Sequence, residues 1–314
     1  MANEPTLGDL GEFAVIGRLL KGRRHRAIVG PGDDAAVLAA PDGRVVVSTD
    51  MLVEGKHFRL DWSTPHDVGR KAIAQNTADI EVMGAAATGF VVAFGAPADT
   101  PAGKVDQLAD GMWEEADRVG AGIVGGDLVS SPQWVVSVTV LGDLAGRVPV
   151  TRGGATPGSA VAAVGELGRS SAGYALWHNN IHEYDGLRRR HLVPEPPYGQ
   201  GVVAARSGAT AMTDVSDGLV ADLRHVADAS GVGIALSTEA LASDHGALSE
   251  AGAVLGVDAW TWVLGGGEDH AFVATFAGRV PDGWRVIGTV VDGPPRVLVD
   301  GEPWRGSAGW QSFA

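Results

Sequence analysis

The chain has 314 residues with 45% hydrophobic content, enough for a core in each of two ordinary domains, and carries a net charge of −14. That acidity disfavours a nucleic-acid partner, whose phosphates it would repel. The absence of cysteine excludes disulfides, thiolate metal sites and cysteine nucleophiles. The N-terminal MANEPTLGDL lacks the parts of a signal peptide, and no apolar run reaches the ~20 residues of a membrane helix. The expectation is a cytoplasmic enzyme or binding protein.

LGEFAVIGRLL has helical spacing. AAVLAA and RVVVSTD read as two strands joined at Pro41-Asp42-Gly43, whose residue types suit a tight turn. DVGRKAIAQNTADIEVMGA predicts a long helix, GFVVAFGAP a buried strand, PAGKVDQLADGMWEEADRVG a second helix stopped at Gly120, and AGIVGGD and WVVSVTVLGDL further strands. RVPVTRGGATPGSA marks a change of domain, placing a first domain at 1–148 and a second at 149–314. In the second, AVAAVGEL reads as a strand and a helix-like stretch starts at Ser170. The proline-rich HNNIHEYDGLRRRHLVPEPPYGQ reads as loop, SGATAMTDVSDGLVADLRHVADASG as strand, loop and helix, and EDHAFVATF and WRVIGTV as strands. The pattern is that of a layered α/β fold.

Carboxylates recur where strands end. GPGDDA satisfies the loose G-x-G-x-x-A dinucleotide pattern, but Asp33 and Asp34 would aim two negative charges at a pyrophosphate, and KGRRHRAIV is a poor central strand before it. In a hairpin turning at Asp42, Asp34 would face Asp50 at ~5 Å, a like-charge pair that calls for a cation. Ser48 and Thr49 add oxygen donors. The competing reading makes Asp34 a turn cap and Asp50 a solvated strand end. Asp127 follows two glycines in IVGGD. Asp214, Ser216 and Asp217 lie between a strand and a helix, where Ser216 or Asp217 could serve as N-cap. Asp79 shares a helix face with Gln75, and LGGGED repeats the glycine-then-acid pattern at Glu268 and Asp269. With no Walker A, G-x-S-x-G or H-E-x-x-H motif, these acids favour a multi-metal phosphate site.

GPGDDAAV, VSTDMLVEGKHF, NTADIEVMGA, IVGGD, TRGGATPG, DVSDGL and GGGED, in this order, resemble the thiamine-monophosphate kinase family of the PurM-like ATP-binding superfamily, from about Gly11 to the C-terminal GWQSF. The resemblance implies two α/β domains and a homodimer whose N-terminal domains complete a shared β-barrel. It implies transfer of the γ-phosphoryl group of ATP to thiamine monophosphate, assisted by several Mg²⁺ ions. Carried onto this sequence, the metal ligands fall on Asp34, Ser48, Thr49, Asp50, Asp79, Asp127, Asp214 and Asp217. Among these, Asp50, Asp127 and Asp217 are the candidate catalytic residues. ATP contacts fall on Gly126, Asp127, Arg152 and Ser216, and thiamine-phosphate contacts on His57, Glu268 and Trp310. Tyr198 stands where relatives often carry a basic residue, and GGEDHA replaces the family's GGEDYE at His270 and Ala271. Other PurM-like enzymes, resembling aminoimidazole ribonucleotide synthetase or selenophosphate synthetase, and a non-catalytic nucleotide- or metal-binding module are the alternatives.

Overall fold

The structure, a computed structural model, describes residues 4–23, 27–30, 35–306 and 309. Asp33, Asp34 and Trp310 therefore lie outside the described residues. The chain divides into two units: Met1–Ile80 with Ala86–Gly146, and Glu81–Ala85 with Arg147–Ala314.

In the first unit the helical pattern near the N-terminus splits at Gly11 into α1 (Leu7–Leu10) and α2 (Glu12–Leu20). The Thr6 side chain and Asp9 close a capping box on α1. Strand β1 (Val46–Val53) precedes α3 (Pro65–Val82), β2 (Ala86–Ala96), α4 (Ala102–Arg118), β3 (Ile123–Ser130) and β4 (Val135–Asp143). The start of α3 is fixed by a reciprocal cap: Asp67 N–H donates to Thr64 Oγ1 at 3.1 Å, and Thr64 N–H to Asp67 Oδ2 at 3.0 Å. Pro65 suits the first turn because its missing N–H would have had no helical partner. The sheet order is β1-β4-β2-β3, with only β2 and β3 parallel, as their α4 crossover allows.

The expected hairpin between AAVLAA and RVVVSTD does not form. Residues 38–40 are in no regular element, Val37 makes only an isolated bridge to Val29, and β1 pairs with β4 so that Asp50 faces Val138. The β-branched run VVSTDMLV finds a better partner in the equally branched VVSVTVLGD than in the alanines before the turn.

One face of the sheet is covered by helices. Phe90, Val92, Val136, Val138 and Val140 are buried, as are Val68, Ile73 and Ile80 of α3, each large side chain contributing ~1.5–3 kcal/mol. Gly69 and Gly111 permit close helix contact, since a Cβ at either would lie about 2 Å from a backbone oxygen of the other helix or its cap, 2.1 Å from Leu108 O and 2.0 Å from His66 O. The opposite face leaves Val47, Met51, Val91 and Val129 at 58, 52, 37 and 57% exposure.

The second unit contains β5 (Ala160–Val164), α5 (Arg169–His178), α6 (Asp185–Leu192), α7 (Gln200–Arg206), β6 (Ala209–Asp214), α8 (Leu219–Ser230), β7 (Gly233–Leu236), α9 (Ala242–Leu255), α10 (Trp260–Gly265), β8 (Phe272–Phe276), β9 (Arg285–Val291), β10 (Arg296–Val299) and β11 (Glu302–Pro303). Its sheet order is β11-β10-β7-β9-β5-β8-β6. The core runs through Val161, Leu176, Leu219, Leu223, Ile234, Leu248 and Ile287. The segment read as loop from composition contains α6, because its prolines, Pro194, Pro196 and Pro197, all follow the last helical residue.

Candidate functional site

In the first unit the candidate side chains form a ladder between β1 and α3. Ser48 Oγ donates to Asp79 Oδ2 at 2.7 Å, and Gln75 Nε2 donates to Asp50 Oδ2 at 3.2 Å. The match is geometric: two residues along a strand advance ~6.6 Å and four along a helix ~6 Å, so the pairs 48/50 and 79/75 fall into step. The backbone of Asp50 is held as well. β1 is an edge strand, and the Asp50 N–H donates to Asn76 Oδ1 at 3.1 Å while Asn76 Nδ2 donates to Ala72 O at 2.8 Å. A buried asparagine thus supplies the acceptor that a neighbouring strand would otherwise give.

Alternation sends Thr49 to the opposite face, where its Oγ1 donates to Val138 O at 3.0 Å and accepts from Thr139 at 3.2 Å. Asp127 is on that face too. It shares a cross-strand row with Ala93, Ser137 and Met51, three strand spacings or ~14 Å from β1. The structure therefore brings Ser48, Asp50 and Asp79 together and leaves Thr49 and Asp127 outside that layer. Gly126 is required by its strand, since a Cβ would come 2.2 Å from Val92 O, whereas one on Gly125 meets nothing within 4 Å.

In the second unit two loops are stitched by their backbones. Glu268 N–H donates to Ser216 O at 2.7 Å and His270 N–H to Val215 O at 2.9 Å. The approach depends on glycine: a Cβ at Gly267 would stand 2.4 Å from Ser216 O, and one at Gly218 would stand 2.8 Å from Gly265 O. Glu268 and His270 take positive φ, 63° and 52°, a strained conformation for non-glycine residues.

This stitching gathers Asp214, Ser216, Asp217 and Glu268. Asp214 is buried at the end of β6, and its Oδ2 meets His270 Nδ1 at 2.9 Å. Burial, then the charge of Asp214, raises the Asp217 carboxyl above its usual range, with Arg152 among the opposing positive charges. Neither Ser216 nor Asp217 caps α8. The N-cap is Gly218, and Asp222 in the first turn accepts the N–H groups of Asp217 and Gly218, both at 3.0 Å. Burial and the neighbouring Asp214 push Asp222 up to about 7. Asp269 accepts N–H groups of Gly168 at 2.5 Å and Ser170 at 2.8 Å, and burial pushes its carboxyl up to about 7. Glu268 Oε2 lies 3.4 Å from His191 Nδ1, which also meets Ser170 Oγ at 3.3 Å.

The donors fit a hard cation. Ser48, Asp50 and Asp79 offer hydroxyl and carboxylate oxygen, and Asp214 and Asp217 are a pair whose mutual repulsion a divalent ion would relieve. Among the described residues no cluster of three or more His, Asp or Glu can hold a metal unaided. Sequence reasoning missed Asn76, Lys71, Asp222 and His191. The spacing of Lys71 and Gln75 ahead of Asp79 was a usable signal for the first unit, whereas nothing local ties His191 to Glu268.

Family models for AIR synthase related protein match this chain in order, the N-terminal domain over residues 32–144 and the C-terminal domain over 156–300. The fold is thus that of a two-domain AIR synthase related chain. A thiamine-monophosphate kinase of Mycobacterium tuberculosis is 70% identical over 311 residues, covering 98% of this chain and 93% of its own. That of Corynebacterium glutamicum is 46% identical over 319 residues, covering 98% and 95%. A solved structure of AaThiL complexed with AMPPCP and TMP superposes with a TM-score of 0.80 at 31% identity, covering 98% of this chain and 99% of that one. The chain belongs to the thiamine-monophosphate kinase family.

Proposed function

We propose that this protein transfers the γ-phosphoryl group of ATP to the phosphate of thiamine monophosphate, giving thiamine diphosphate and ADP. The observation that carries this is the 70% identity, across nearly the whole chain, to a thiamine-monophosphate kinase. The oxygen-donor pairs in each unit are consistent with it. A phosphate monoester, with its second pKa at ~6, is already a nucleophile near neutral pH, so the protein's task is to position it and offset charge rather than to remove a proton.

We assign Mg²⁺ binding to Ser48, Asp50 and Asp79 in the first unit and to Asp214 and Asp217 in the second. Thr49, Asp127 and Asp34 complete the assigned set. Bound Mg²⁺ would neutralise the polyphosphate oxygens as charge develops. Gly126, Asp127, Arg152 and Ser216 are assigned to ATP, with the guanidinium of Arg152 supplying a fixed positive charge. His57, Glu268 and Trp310 are assigned to thiamine monophosphate, the indole of Trp310 as a face for the cationic thiamine. The carboxylates of Asp50, Asp127 and Asp217 are the groups on which turnover should depend most.

A homodimer belongs to the same proposal. The uncovered apolar face carrying Val47, Met51, Val91 and Val129 suits a second copy of the sheet closing a barrel. A cytoplasmic setting accords with a biosynthetic kinase, and no helix among the described residues is long and apolar enough to cross a membrane. The test is incubation of the purified protein with ATP, Mg²⁺ and thiamine monophosphate. Thiamine diphosphate and ADP should appear in equal amounts. ATP binding without product would leave only a nucleotide-binding module.

A further inference from the structure

Lys71, Gln75 and Asp79 sit at i, i+4 and i+8 on α3, along one face of the helix. Read backward along the strand, the last two hold Asp50 and Ser48. The first has a target beyond the end of β1: Lys71 Nζ donates to the carbonyl of His57 at 3.0 Å. Its side chain is only 2% exposed, a costly place for an ammonium group that needs acceptors fixed around it.

The turn it holds is unusually well specified. Gly55 takes φ 78°, Gly55 N–H donates to Phe58 O at 2.8 Å, and the N–H groups of Lys56 and His57 both return to Val53 O at 3.1 and 3.0 Å. Val53 grips His57 a second time, because its own N–H donates to His57 Nδ1 at 3.1 Å. A ring nitrogen that accepts a backbone N–H carries no proton, so the neutral ring has its proton on Nε2. Protonating Nδ1 would set two N–H groups against each other.

We propose that Lys71 is a positioning residue that locks the Glu54–Phe58 turn, and through it fixes His57 as a neutral Nε2–H donor to the phosphate of thiamine monophosphate. This rests on the assignment of His57 to that substrate. On it, His57 supplies a directed hydrogen bond, and the positive charge near the acceptor phosphate comes from elsewhere.

The experiment uses the full-length protein labelled with ¹⁵N-histidine, the His57 signals being assigned by their loss in His57→Gln. Wild-type His57 should show an unprotonated Nδ1 and a protonated Nε2 at neutral pH. In Lys71→Met the His57 signals should become a mixture of tautomers. KM for thiamine monophosphate should rise about tenfold while KM for ATP stays within about twofold, and Lys71→Arg should restore most of the loss. A protonated Nδ1 in the wild type overturns the proposal, as does a folded Lys71→Met with unchanged KM and tautomer. Should Lys71→Met fail to fold, the wild-type tautomer and the KM of Lys71→Arg decide. His57→Ala separates the two levels: an unchanged KM for thiamine monophosphate refutes the substrate assignment itself. A raised KM alongside the wrong tautomer refutes only the locking.

Discussion

The two units hold their carboxylates in different ways. In the first, Ser48 and Asp50 stand on a strand and Asp79 on a helix, and side chains meet side chains across the layer. In the second, Asp214, Asp217 and Glu268 stand at a strand end and on loops, and the bonds that gather them run from backbone to backbone between glycine-rich turns. Regular elements give one arrangement its spacing; absent side chains give the other its closeness. The first should therefore be sensitive to loss of polar groups and the second to addition of a methyl.

The largest effect is expected where the two arrangements are alike. Asp50→Asn and Asp217→Asn should each lower kcat by at least about a hundredfold in a steady-state kinase assay, with circular dichroism unchanged, because each removes charge from an oxygen-donor pair. If only one did so, a single unit would carry the chemistry. Next comes the methyl: Gly267→Ala should destabilise the protein by more than ~2 kcal/mol in urea unfolding, since the new Cβ lies 2.4 Å from the Ser216 carbonyl oxygen.

A pH titration probes the second unit again. The Asp269 carboxyl is raised to about 7 in the fold from 3.8, so between those values the unfolded chain ionises it and the folded one does not. Its contribution to stability is greatest below pH ~4, falls as pH rises to ~7, and is constant above. In Asp269→Asn this component should vanish, and the stability difference from wild type should change by a few kcal/mol at most across that window, on the order of 1.4 per pH unit. A difference that is flat with pH would mean that the two N–H donors keep Asp269 ionised.

Asn76→Ala tests the ladder of the first unit at smaller cost. It leaves the Asp50 N–H without its acceptor and should cost ~1–2 kcal/mol in stability, with kcat reduced through Asp50. The smallest effect is the control: Gly278→Ala, where a Cβ meets nothing within 4 Å, should change stability by less than ~0.5 kcal/mol.

The same contrast governs what could be read before any coordinates. The helix α3 announces itself by a Thr64-Pro65-x-Asp67 start and a long run after it free of proline, and the pairing of Gln75 and Asp79 on one face follows from its period. The strand β1 was legible, but its partner was not. The turn residues Pro41-Asp42-Gly43 suggested a local hairpin, whereas the true ladder joins residues about ninety apart, Asp50 to Val138. In the second unit each motif was visible singly. Their juncture was not, since Glu268 to Ser216 and Glu268 to His191 are contacts that no local periodicity encodes. The helix α6 was lost by averaging its composition with the prolines that follow it.

The second unit is not one continuous stretch of chain, and this bears on any attempt to dissect the protein. Glu81, from the short segment Glu81–Ala85, accepts the N–H groups of Gly199 at 2.9 Å and Gly201 at 3.1 Å. A fragment starting at Arg147 would lack that carboxylate, and the Gly199 and Gly201 amides would lose their protein acceptor. Limited proteolysis or fragment expression that cuts at the apparent border would thus yield a piece frayed at α7. A graft returning residues 81–85 to the fragment should restore it, making this five-residue clip a handle for recombining the unit with other partners.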